Sequence, residues 1–193
     1  MLKWLLIGLA VWAIYTVWRL WPLLWAITSF DPITRMKRML AAASRCYEEG
    51  KSRRAAELAQ WGLWFAGEPE EAKMPEIRRL GSDIAAASSF AYGRLNRFQN
   101  AQMMAHNSVL RDRTNPLAYE ALGLSLACNG DTDDARSSFM EGLRVARESK
   151  PVDTEAEERI NRQLLWLSRN ASAINKIYDA ADGYPPRDHI HDG

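Results

Sequence analysis

The stretch NPLAYEALGLSLACNGDTDDARSSFMEGL, Asn115 to Leu143, decides how the rest of this 193-residue chain is read. Asn115-Pro116 opens a run of apolar and small residues at helical spacing, with Tyr119, Leu122-Gly123 and Leu126 recurring on one side. Asn129-Gly130-Asp131 then breaks the run, and a second helical pattern follows through Ala135, Phe139 and Gly142-Leu143. Two helices joined by a tight turn is the simplest reading. A helix pair of this kind cannot bury its apolar face alone, so neighbours of the same kind are to be expected.

Two further segments align with it on a shared alanine. Glu49 to Ala55, Leu95 to Ala101 and Asn129 to Ala135 each place a turn residue five positions before that alanine. Ala101 and Ala135 stand 34 residues apart, whereas Ala55 and Ala101 stand 46 apart. The latter interval is longer by 12 residues, and the extra length is expected in the polar, proline-flanked stretch Gly67 to Pro75, read as an enlarged loop.

The 34-residue unit resembles the tetratricopeptide repeat family, whose pattern Tyr119, Leu122-Gly123, Leu126, Gly130-Asp131, Ala135, Phe139 and Gly142-Leu143 follow position by position. The middle unit is similar through Ala85, Ser88, Ser89 and Tyr92, then Ala101, Ala105 and Ser108. The first unit carries Met39, Ala42, Ala43 and Cys46, then Gly50, Ala55, Ala59 and Gly62-Leu63. The small positions have a physical cause, because a side chain beyond Cβ would push two closely crossing helices apart. The resemblance spans about residues 33–147. It implies a stack of antiparallel helix pairs, each burying one face against the next.

Outside the repeats, Trp4 to Phe30 contains one charged residue, Arg19, and is long enough for a helix to cross a bilayer core about 30 Å thick. Five of the eight tryptophans fall in the first 25 residues, a distribution that suits a membrane interface. Trp4, Trp18, Arg19 and Trp21 are the expected contacts with lipid or with a partner's membrane helix. Lys3 stands alone before this stretch, while Arg35, Lys37, Arg38 and Arg45 follow it. The asymmetry places the repeat domain in the cytoplasm, with the periplasm or a lumen as the alternative. After Lys150-Pro151, a helix over about residues 154–168 is expected to cap the stack, continued by Ile174, Ile177 and Tyr178. The expected architecture is therefore all-α: an N-terminal single transmembrane helix and interfacial segment (1–30), then a TPR-like α-α superhelix of about three helical hairpins (31–150). C-terminal capping helices (151–182) and a flexible tail (183–193) complete it.

In the family the first helices of successive pairs line a concave groove that takes peptides or partner helices. The resemblance thus nominates Lys37, Leu40, Ser44 and Tyr47, then Asp83, Ala86, Phe90 and Arg94, then Leu117, Glu120 and Leu124 as groove residues. Phe90 and Leu124 either bury a partner there or pack beneath the cap or on the membrane-proximal segment. The chaperone-binding members' Lys, Asn and Arg positions hold Leu40, Ser44, Ala86 and Phe90 here, so carboxylate capture of that type is not expected. Trp61, Trp64 and Phe65 cannot all face the core, and their remainder is read either as a contact with lipid headgroups or a membrane partner, or as packing between repeats.

With 25 basic and 24 acidic residues, the chain lacks the basic surplus of a nucleic-acid binder. Cys46 and Cys128 are far apart inside helical segments and are read as thiols packed in a core. His106 is solitary, His189 and His191 lie in the tail, and no nucleophile, base or phosphate loop is recognisable. No catalysis, metal, cofactor or small-molecule substrate is expected. The expected partners are other proteins, membrane-associated ones first, met by a scaffold or assembly factor. The alternative is an accessory subunit held in a larger membrane complex through its transmembrane helix.

Overall fold

The structure, a computed structural model, describes residues 31–67 and 74–180. Those residues form seven helices and no strand: α1 (Pro32–Glu48), α2 (Ser52–Ala66), α3 (Pro75–Arg94), α4 (Phe98–Arg111), α5 (Pro116–Cys128), α6 (Thr132–Glu148) and α7 (Thr154–Ala180). None of these helices is long and apolar enough to cross a membrane. The expected anchor, with Trp4, Trp18, Arg19 and Trp21, lies outside the described residues, as does the tail.

Local chemistry starts and stops the helices. The Asp31 carboxylate accepts from the backbone N–H of Ile33 and Thr34, and Asn115 Oδ1 accepts from that of Leu117, in both cases ahead of a proline that needs no partner. The turns inside the three pairs share one closure. Lys51 donates its N–H to Cys46 O, Arg97 to Tyr92 O and Asp131 to Leu126 O, at 2.8, 3.0 and 3.0 Å. Each turn passes through a left-handed residue: Gly50 (φ 76°), Asn96 (φ 56°) and Gly130 (φ 86°). These are the residues five positions before the shared alanines, so the alignment seen in the sequence corresponds to one repeated backbone conformation.

Successive helices pack in sequence order, and the odd-numbered ones also pack on each other, α1 on α3, α3 on α5 and α5 on α7. Short connections make neighbours antiparallel, so α1, α3, α5 and α7 form one layer with α2, α4 and α6 behind it. Small side chains let the layers approach. Ala55, Ala59, Ala85, Ala101, Ala105, Ala118, Ala121 and Ala135 are buried, and Ser82 and Ser108 exchange hydroxyl-to-carbonyl hydrogen bonds of 2.9 and 2.7 Å across α3 and α4. One core cluster centres on Phe139, Leu122 and Leu126 and is completed by Ile160 and Leu167 of α7; another joins Met36, Met39, Leu58 and Ile84. Cys46 and Cys128 lie half-buried in α1 and α5 and form no disulfide.

Two expectations change. The irregular spacing between the first two units is not all loop, because α3 runs 20 residues where α5 runs 13, so seven of the 12 extra residues lengthen a helix. Pro75 is the cause: it suits a first helical turn and starts α3 directly where the loop was expected to end. The cap is one 27-residue helix, since neither Pro nor Gly interrupts Ser168 to Ala173.

Candidate functional site

The odd-numbered helices enclose a cleft of about 450 Å³. Leu40, Ser44 and Tyr47 recur at helical spacing along α1 and form one wall. Asp83, Ala87 and Phe90 do the same on α3, and Pro116 and Leu117 bring in the first turn of α5. Asp153 and Arg159 close the far side from the start of α7, with Arg79 and Asn115 at the same end. The cleft thus has apolar walls, a cluster of charged groups where α3, α5 and α7 begin, and Glu48 at the end of α1.

That charged cluster is built by long-range bonds. Asn115 is fully buried, and its Nδ2 donates to Asp83 Oδ1 at 2.7 Å and to Ser82 Oγ at 2.8 Å while its Oδ1 caps α5. Arg79 Nη1 donates to Asp112 Oδ2 at 3.3 Å and to Thr114 O at 3.2 Å, and its Nε stands 3.7 Å from Asp83 Oδ1. Burial pushes the Asp83 carboxyl above its usual range, against the Asn115 hydrogen bond and the Arg79 charge, both of which favour the anion. Arg159 Nε donates to Glu120 Oε2 at 3.0 Å, holding the first turns of α7 against α5.

Of the residues nominated from the sequence, Leu40, Ser44, Tyr47, Asp83, Phe90 and Leu117 come together on this cleft. The others do not line it. Ala86 is fully buried in the core, and its neighbour Ala87 takes the expected place, because the helical rotation carries Ala86 toward α5 and α4. Glu120 is buried and engaged by Arg159, so it serves the junction with the cap. Lys37 sits at one rim in an exposed ion pair with Glu76 at 2.8 Å. At the other rim the Arg94 guanidinium lies 3.6 Å above the Tyr47 ring and donates to Tyr47 O at 2.7 Å, fixing that ring in the wall. Leu124 packs half-buried against the core cluster that α7 completes, whereas Phe90 touches both that cluster and the cleft.

Sequence reasoning missed Arg79, Asn115, Asp153 and Arg159. Asn115 carried a usable signal, since its helix-opening position already required its side chain to turn inward onto the backbone. The other three reach the cleft only through contacts between distant elements. Among the described residues no group of three or more His, Cys, Asp or Glu could hold a metal ion. His106 is exposed on α4, and His189 and His191 lie outside the described residues. No family model matches the chain, and no curated protein matches it.

Proposed function

We propose that this chain is a membrane-anchored adaptor of tetratricopeptide-like superhelical architecture, which recruits a segment of a partner protein into the cleft between α1, α3, α5 and the start of α7. The observation that carries this reading is the cleft itself, an apolar trough from Leu40, Tyr47, Phe90 and Leu117 with Arg79, Asp83 and Arg159 clustered where α3 and α7 begin and Glu48 at the end of α1. Its volume of about 450 Å³ takes a few side chains of an amphipathic helix or extended peptide, with the charged cluster setting the direction in which it lies. The anchor reading rests on the single charge between Trp4 and Phe30. Tethering both partners to one membrane raises their effective concentration, so a modest cleft suffices.

The test is affinity purification of the tagged full chain from gently solubilised membranes, comparing wild type with Phe90→Asp, Leu40→Asp and Met103→Asp. Met103 is exposed on α4, away from the cleft. A partner lost from the first two variants and kept by the third supports the reading. The same partners captured by all four proteins would overturn it.

A further inference from the structure

The two ends of the helix stack differ in chemistry. One end carries the connections between pairs, and side-chain contacts tie these together. Arg35 near the start of α1 lies 5.6 Å over the Phe65 ring at the end of α2. Arg111 Nη2 donates to Gly67 O at 2.7 Å, and Arg79 reaches Thr114 O. A shallow depression then joins Thr114 to Pro151 and Val152. Exposed at this end are Trp64 (71%), Leu110 (63%), Met74 (50%) and Val152 (48%). Exposed Arg113 and Lys150 stand among them together with acidic Asp31, Asp153 and Glu155, of which Glu155 is paired with Arg159, while Glu76 is paired with Lys37 and Asp112 with Arg79. The opposite end holds the turns at Gly50-Lys51, Asn96-Arg97 and Gly130-Asp131, and no large apolar side chain is exposed there among the described residues. The remaining exposed apolar residues, Trp61, Met103, Met140, Leu165 and Trp166, sit along helix flanks.

Single exposed apolar residues are ordinary on a protein surface, but here four of the nine large ones among the described residues share this end and none of the nine lies at the opposite one. That end is also where α1 begins, and Phe30, the last residue of the apolar N-terminal stretch, is bonded directly to Asp31. We propose that this end of the stack rests in the headgroup layer of a lipid bilayer, with Trp64, Met74, Leu110 and Val152 as its apolar contacts and Arg113 and Lys150 facing lipid phosphates. Indole, thioether and branched side chains flanked by basic groups partition into that layer, where the ring or alkyl part sits below the phosphates and the charge stays hydrated. The proposal deepens the anchor reading and rests on it. Its consequence is geometric: the odd-numbered helices stand upright on the membrane, and the cleft opens sideways along the bilayer rather than away from it.

The test uses the full chain, with Cys46→Ala and Cys128→Ala, reconstituted into phosphatidylcholine and phosphatidylglycerol vesicles. A nitroxide is placed on Leu110→Cys at the proposed contact or on Arg97→Cys at the opposite end. Relaxation by oxygen, which concentrates in lipid, is compared with relaxation by a water-soluble nickel chelate. The expected result is that the Leu110→Cys label responds several-fold more to oxygen relative to nickel than the Arg97→Cys label. Met74→Cys against Lys51→Cys should repeat the contrast. Equal nickel access at both ends overturns the proposal, as does a Leu110→Cys label shielded from both reagents, which would mean a protein contact. A chain that fails to float with the vesicles overturns the anchor reading and this proposal together, whereas a floating chain with a water-exposed Leu110→Cys label overturns this proposal alone.

Discussion

Gly123 and Phe139 interlock across the crossing of α5 and α6: a Cβ on Gly123 would stand 2.5 Å from Cε1 of the Phe139 ring and 2.6 Å from its Cδ1. The ring is fully buried and has no free direction in which to retreat. Gly123→Ala should therefore destabilise the detergent-solubilised chain by about 1 to 3 kcal/mol through overpacking. Phe139→Leu in that background should recover part of the loss, a coupling that urea unfolding of the four proteins measures. If Gly123→Ala unfolds at the wild-type midpoint, the close crossing is not as described.

The three turns give a second comparison. Gly130 and Asn96 share the same left-handed backbone position, but only glycine occupies it without a Cβ penalty. Gly130→Ala should cost about 1 kcal/mol, and Asn96→Gly should be neutral or stabilising by a few tenths. Thermal melts read both. A destabilised Asn96→Gly would mean that the asparagine side chain makes a contact the backbone argument ignores.

Arg159 supplies the charge that keeps Glu120 tolerable in a buried setting. Arg159→Met should cost about 2 kcal/mol, less than a wholly buried pair because the arginine side chain is 30% exposed. Adding Glu120→Gln should recover most of that loss. Recovery that fails would show that Arg159 acts through its packing rather than its charge.

Asp83 makes the stability depend on acid pH in a defined direction. Burial raises its folded-state pKa, so the folded chain holds this proton more tightly than the unfolded one. Its contribution is fully favourable below the ordinary aspartate value and is lost as pH rises through the higher folded value. Relative to Asp83→Asn, wild type should therefore lose stability as pH rises above the ordinary aspartate value of about 4. A pH-independent difference between the two proteins would refute the assignment.

Much of the fold was legible because its causes are local. Helix starts at Asp31-Pro32 and Asn115-Pro116 and the left-handed turns at Gly50 and Gly130 follow from a few adjacent residues. Asn96 shows that the aligned position mattered more than the residue type. The length of α3 was hidden, because a polar segment after Pro75 satisfies helix and loop equally until its neighbours are present.

The sequence alone thus determined the helical pairs, their turns and the small residues at their crossings, since period and turn chemistry act within one helical turn. Only the tertiary structure decided that Ala87 rather than Ala86 faces the cleft, that Arg159 reaches Glu120 across 39 residues of chain, and that Asn115 bonds Asp83 across 32. Those choices depend on rotation and distance between elements far apart in the chain. No residue pattern encodes these until packing has brought the elements together.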